Sequence, residues 1–340
     1  MVPRAARVHH RSRTTARPSR RGGRSGRSDK LPGWLLVGAT FTLILAVGFI
    51  CVYKLLIPAL VVPANQANRF IVTAGQANAE GNHVLLVSVN HQSQTELAWL
   101  NAAEKITIPG GYGEYELRSV VPLLALESPP VDSLAAGLTH GLGAVITQVL
   151  VVPSWADLPE NIETLPAAEQ QRLLSKFFLQ MAFRQLPKID QTRQMAGLHV
   201  LVSRAGQMSD QESIPVLSPQ DLARYTQEHP LVSEQIAQAC PLAIMNTTDQ
   251  SGLANNASTI LEQSGAQSVR VEHLDETRST SVVLVSDEHL AECDSIIRLA
   301  QYIFPAKTHV ETVNSDQLIS RYRAKVVLLL GTDVAEYYSK

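Results

Sequence analysis

The chain of 340 residues has neither an H-E-x-x-H nor a C-x-x-C spacing among its ten histidines and three cysteines, so no metal site is expected. It also lacks G-x-G-x-x-G and G-x-S-x-G, which removes the dinucleotide fingerprint and the nucleophile elbow. Gly110, Gly111 and Gly113 are not followed by Lys-Ser or Lys-Thr, and they read as a tight turn rather than a phosphate cradle. Most of the chain is short of positive charge. Residues 1–32 carry nine Arg and one Lys against the single Asp29, leaving 19 basic and 30 acidic residues for everything that follows. The overall charge of −2 therefore joins a basic tail to an acidic body. An acidic body excludes nucleic acid as its partner, because phosphate neutralisation needs Lys and Arg on that surface.

Residues 34–53 contain no charged side chain. As a helix this run spans about 30 Å, the thickness of a bilayer's hydrocarbon core. Trp34 and Tyr53 fall where an aromatic belt sits, and Lys54 is placed to snorkel. Pro58 and Pro63 end a second apolar stretch as an interfacial exit. The run exceeds a signal-peptide core, so it reads as a retained anchor. The Arg-rich flank precedes it, which places the N-terminus in the cytoplasm and the remainder outside the cell membrane. Gly38, Thr42 and Ala46 form the small-xxx-small stripe by which two helices pack, and a homodimer is one expectation it raises.

The expected organisation is a disordered cytoplasmic tail (1–32), a transmembrane helix with its exit (33–62), a stalk (63–80), a first domain (81–204), a linker (205–237) and a second domain (238–340). The fold class is α/β (α+β), with two layered domains after a single transmembrane helix. In the first domain, strands are expected at 84–89, 105–108, 145–152 and 197–203, with helices at 131–142 and 165–186. The linker holds Pro215, Pro219 and Pro230, with a short helix at 219–228. The second domain reads β-α-β-β-α-β plus one strand, the split βαβ order, with two helices covering one sheet face. Ser251 is expected to cap the helix that begins at Gly252, and Gly265 to stop it. Asn246, Ser251 and Gly252 are candidate ligand-binding residues, since a loop feeding a helix N-terminus suits an anion such as a sugar phosphate. Asp333 reads as satisfying a turn. Cys240 and Cys293 either pair, if the body is extracytoplasmic, or are two buried thiols. Asn246-Thr247-Thr248 and Asn256-Ala257-Ser258 have the form of glycosylation sequons.

Several motifs in the second domain appear in a familiar order: Asn246-Thr247-Thr248, Ser251-Gly252-Leu253-Ala254, Leu261-Glu262-Gln263-Ser264-Gly265, and the ending from Val326 through Leu330-Gly331-Thr332-Asp333. Over 238–337 this resembles the C-terminal domain of LytR-CpsA-Psr proteins, an extracytoplasmic accessory module. The strand at 84–89 leading to Asn90, the glycine turn from Ile108 to Leu117 and the stretch 136–153 are similar to that family's catalytic domain. The resemblance implies transfer of glycopolymers from a polyprenyl-pyrophosphate lipid to the cell wall, with acidic residues on a divalent metal and arginines on the pyrophosphate. The residues depart from that pattern. The metal-binding Asp falls on Asn82 or His83, and the Arg-Asp pair falls near Ala102, Ala103 and Glu104. Glu104, Arg118 and, further off, Arg193 are the residual catalytic candidates.

Three functions stay open at this stage. The first is a non-catalytic, membrane-anchored cell-envelope protein that binds or scaffolds, with no cofactor. The second is a divergent glycopolymer phosphotransferase using Glu104, Arg118 and Mg²⁺. The third is a transmembrane regulator acting through the basic tail. The partners expected are the lipid bilayer, cell-wall glycopolymer and envelope proteins.

Overall fold

The computed structural model describes residues 68–75, 83–92, 94–126, 131–183, 213–304 and 308–339, together with Leu198 and Leu201. The tail, the expected transmembrane helix, Asn82 and Arg193 lie outside the described residues. Among the described residues, no helix is long and apolar enough to cross a membrane.

The first sheet has the order β6-β1-β2-β3-β7. It comprises β1 (Asn68–Ala74), β2 (Val84–Val89), β3 (Thr95–Leu100), β6 (Gln148–Val152) and the short β7 (Val216–Leu217). β1, β2 and β3 form an antiparallel meander, with β6 parallel to β1 and β7 parallel to β3. Every residue of β1 and β2 is buried, as a sheet covered on both faces requires. On one face Phe70, Val72, Leu85 and Trp99 pack against Leu174, Phe177 and Phe178. The last three come from α3 (Ala167–Phe183). On the other face Ile71, Leu86, Ala98 and Leu100 meet Val120 of α1 (Leu117–Leu126) and Leu138 of α2 (Val131–Leu142). The hairpin of β4 (Lys105–Ile108) and β5 (Gly113–Glu116) is closed by the glycine turn, as the sequence suggests.

Three expectations need correction. Residues 63–80 are not a stalk throughout, because 68–74 form β1. Phe70-Ile71-Val72-Thr73 is an aromatic and β-branched run, and it is paired on both sides. Of the strand expected at 197–203, only Leu198 and Leu201 are described, and both are helical rather than extended. Both bury into the same core, which three-residue spacing achieves on a helix face and not on a pleated strand. Finally, the described part of the segment expected as a linker, 213–237, is a packed domain junction. Ser218 accepts from the Asp221 N–H and Pro219 follows at the first helical position, starting α4 (Pro219–Glu228). Leu222 and Tyr225 of α4 enter the first domain's core. Leu231, Val232 and Ala237, the last in α5 (Glu234–Ala239), enter the second.

The second sheet runs β8 (Leu242–Asn246), β9 (Ser268–His273), β10 (Val282–Val285), β11 (His309–Thr312) and β12 (Val326–Leu330) in sequence, and β11-β10-β12-β8-β9 in space. The β-α-β-β-α-β order holds, with α6 (Leu253–Gln263) after β8 and α7 (Asp294–Tyr302) after β10, but neither βαβ unit is split as expected, since β8 pairs directly with β9 and β10 with β11. Both helices cover one face, packing Ile260, Leu261, Ile296 and Ala300 on Ile244, Val283 and Leu328. The other face is covered by Tyr322, the end of a further helix α8 (Ser315–Tyr322), over Ala243, Met245 and Leu329. A last helix, α9 (Thr332–Ser339), follows β12.

The turn after α2 docks on this second domain. Val145 is part of the second core, and its N–H donates to Ser264 Oγ at 3.4 Å. Gly265 stops α6 at φ +99°, and a Cβ there would lie 2.7 Å from the Val232 carbonyl oxygen, so only glycine lets the junction pass this close. His140 Nε2 donates to the Ile303 carbonyl at 2.9 Å, and its ring stacks on Phe304. Burial pulls His140 down to about 4, outweighing the carbonyl hydrogen bond that favours its charged form. The unfolded chain therefore binds the extra proton first. Stability from this contact is complete above about pH 6.5 and falls away as pH drops towards 4, by up to about 3 kcal/mol. Urea unfolding at pH 7, 5.5 and 4 should show this decline, and His140→Gln should flatten it. An unchanged pH dependence in that variant would contradict the assignment.

Candidate functional site

The C-terminal ends of β8 and β9 and the start of α6 enclose a cleft of about 390 Å³. It lies outside the carboxyl ends of two parallel strands joined by a crossover helix, where open α/β sheets offer a crevice. Its walls include Asn246, Thr248, Asp249, Ser251, Gly252 and Asn255 from the β8–α6 side and Val271, Glu272 and His273 from β9. All three ligand candidates from the sequence thus meet in one place.

Their roles differ from expectation. Asn246 is buried and fully engaged. Its Oδ1 accepts from the Thr248 N–H at 3.0 Å and the Thr248 hydroxyl at 2.8 Å, and its Nδ2 donates to the Gln250 carbonyl at 2.7 Å. This Asx turn shapes the loop, so Asn246 positions the site, and its amide nitrogen is not offered as a sequon acceptor. Ser251 is exposed and does not cap α6. Gly252 occupies the cap position at φ +84°, with open space where a Cβ would stand. A left-handed glycine cap leaves no side-chain oxygen on the first-turn N–H groups. The charge of the walls opposes an anion. No Lys or Arg lines the cleft, and Asp249 and Glu272 do. A hydrogen bond from Arg270 and the charge of that guanidinium hold the Glu272 carboxyl below its usual range. The helix N-terminus that suggested a sugar phosphate therefore shares the cleft with Asp249 and with a Glu272 already bonded to Arg270, and hydroxyl- and amide-bearing ligands suit it better.

The fold brings two of the catalytic candidates near each other, the Arg118 N–H donating to the Ala102 carbonyl two residues before Glu104. Glu104 lies half-buried in the turn before β4, its backbone carbonyl accepting from the Leu117 N–H. Arg118 is exposed, and its Nε donates to Glu116 at 2.7 Å. His83, one of the two positions facing the family's metal-binding Asp, is buried against Trp99 and Trp155 and bonded to Glu163 at 2.7 Å. Among the described residues, the cluster with metal-like spacing is Cys240, Glu292 and Cys293, and there the two sulfurs are bonded to each other. Asp333 behaves as the sequence suggests, accepting from the N–H and hydroxyl of Ser281 at 3.0 and 2.7 Å.

Sequence reasoning missed a polar row inside the first domain. Arg69 on β1 pairs with Ser88 on β2, and Ser88 pairs with Glu96 on β3. Arg69 is wholly buried, with Nη2 donating to the His229 carbonyl at 3.0 Å and no partner among the described residues for Nε or Nη1. Glu96 forms an ion pair with His229, just past the end of α4, and Tyr225 of α4 lies beside it. Burial lowers Arg69 to about 10, and Tyr225 and Glu96 act against that shift. Burial and the Glu96 carboxylate push Tyr225 up. The available signal was a lone arginine opening a β-branched run, which looks unlike a stalk.

Residues 239–333 match the family described as LytR cell envelope-related transcriptional attenuator. No curated protein and no solved structure matches the chain. The matched segment begins one residue before Cys240 and ends at Asp333, so it contains the cleft, the disulfide and the whole second sheet. Residues 239–333 are thus the C-terminal domain of the LytR-CpsA-Psr family, a cell-envelope-associated module.

Proposed function

We propose that this chain is a membrane-anchored, extracytoplasmic envelope protein that binds or scaffolds during glycopolymer assembly and does not itself catalyse transfer. The observation that carries the reading is the cleft at Asn246, a polar crevice built entirely within the LytR-type domain. Three further features support it. The uncharged run at 34–53 follows an arginine-rich flank, which orients the body outwards. Cys240 and Cys293 are joined, as suits an oxidising compartment. Glu104 and Arg118 sit on the surface of a first domain that resembles a transferase without its metal and phosphate groups, and Arg118 is already paired with Glu116.

The test is co-sedimentation of the full chain, in detergent micelles, with isolated cell walls. Ser251→Arg fills the cleft from an exposed position that caps nothing, so the fold should survive. It should weaken wall binding about tenfold, equivalent to about 1.4 kcal/mol. Glu104→Ala/Arg118→Ala should bind as the parent does and leave glycopolymer attachment in cells unchanged. Loss of attachment in that double variant would sink the non-catalytic reading, and undiminished wall binding by Ser251→Arg would remove the cleft from it.

A further inference from the structure

A second cleft, of about 380 Å³, lies at the opposite end of the α6–β9 unit. Gln227, Glu234 and Gln238 wall it from the junction helices α4 and α5, and Glu262 and Gln267 wall it from α6 and the turn into β9. Pro230, Val232 and Ala237 give it an apolar floor. As in the first cleft, no Lys or Arg contributes.

The surface between the clefts continues the same chemistry. Asn255, Thr259 and Glu262 are exposed on α6, four and three residues apart, so they form one stripe along the helix. Asn255 belongs to the first cleft and Glu262 to the second. Beneath the stripe the Ser258 hydroxyl bonds to Ser268 Oγ at 2.9 Å and to Glu262 Oε1 at 3.0 Å, linking helix to strand through hydroxyl and carboxylate groups. Val269 on β9 stands exposed beside it. The length of α6 separates the clefts by about 16 Å, too far for one monosaccharide and within reach of a short oligosaccharide.

We propose that the two clefts and the α6 stripe form one track for a neutral glycan strand bearing hydroxyl and acetamido groups. The inference rests on the envelope-binding reading above and specifies its ligand. Side-chain amides at Gln227, Gln267 and Asn255 offer donors and acceptors, the complement of an acetamido group, and Gln238, whose Nε2 donates to Glu234 at 2.9 Å, adds an amide oxygen. Carboxylates at Asp249, Glu234 and Glu262 accept from sugar hydroxyls and repel a phosphate-bearing polymer, while Glu272 is bonded to Arg270. The apolar floor of the second cleft suits a methyl group. Two weak subsites on one strand add through effective concentration rather than through any single strong contact.

The track is tested by calorimetry on the full chain in detergent micelles, with chitobiose, chitotetraose, the deacetylated tetramer and poly(glycerol phosphate) as probes. Chitotetraose should bind about tenfold more tightly than chitobiose. Gln238→Ala/Gln267→Ala should remove that advantage, and a tenfold preference that survives in the variant would overturn the track. Thr259→Arg blocks the exposed stripe without touching the core, so it should do the same even if the double variant fails to fold. Equal affinities for the two chitin oligomers, or no binding of either, overturn the track. Wall binding that persists and still depends on Ser251 would then keep the broader reading intact. Tighter binding of the deacetylated tetramer overturns the acetamido assignment, and tighter binding of poly(glycerol phosphate) overturns the charge argument.

Discussion

Replacing Cys240 and Cys293 together by alanine should cost the chain about 4 kcal/mol of stability. The bridge joins residues 53 apart in sequence, and the loop-closure entropy it removes from the unfolded chain has that size. Its position adds to the effect. Cys240 ends α5 just before β8, and Cys293 immediately precedes α7, so the bond ties the start of the sheet to one of the helices covering it. Both sulfurs lie in the second core beside Leu242 and Ile296, where alanine leaves a small void as well. Urea unfolding of the parent with and without dithiothreitol, beside the double variant, measures this. The reduced parent should unfold at a lowered midpoint, the variant slightly below it because of the void, and dithiothreitol should not affect the variant. Three titratable thiols in the unfolded, unreduced parent, rather than Cys51 alone, would contradict the assignment.

The second domain was the more legible one because its chemistry is local. Leu253, Ala254, Ala257, Ile260 and Leu261 repeat at helical spacing and are all buried, so α6 follows from periodicity alone. The fully apolar Val326–Leu330 is a strand with both faces covered, and it lies in the middle of its sheet. The misses share another cause. β1 was read as stalk because alanine, asparagine and glutamine surround it, and only long-range pairing with β2 and β6 reveals its place. The cap of α6 was given to Ser251 on propensity, whereas the Asx turn at Asn246 shifts the start onto a left-handed Gly252. Asn246, Ser251 and Gly252 do line one cleft, but the loop motif alone says little of its charge. The carboxylates that reverse the expected charge come partly from β9, a separate strand that the loop motif does not include.

Arg69 offers the other large expected effect, and it concerns what no local pattern records. Its guanidinium is wholly buried, and the nearby acidic group is Glu96, two strands away across Ser88. Losing the hydrogen bond to the His229 carbonyl and the positive field that acts on the Glu96 carboxylate costs about 3–5 kcal/mol. Arg69→Ala should reach that range, because it also empties volume inside the core. The half-pair Arg69→Met should lose less volume and still leave Glu96 exposed to the desolvation penalty. The paired replacement Arg69→Met/Glu96→Gln removes both charges and should recover most of the loss, giving a coupling of more than about 1 kcal/mol in a double-mutant cycle. The local consequence should be visible at α4. Arg69 donates to the His229 carbonyl and Glu96 holds the His229 ring, so the pair fastens the end of α4 to the first sheet. Limited proteolysis of Arg69→Ala should therefore cut near 229–233 sooner than in the parent, while the second domain's disulfide-closed loop stays intact. Additive losses in the cycle, or unchanged cleavage at the junction, would show that the row is ordinary filling and not the fastening that holds α4 in place.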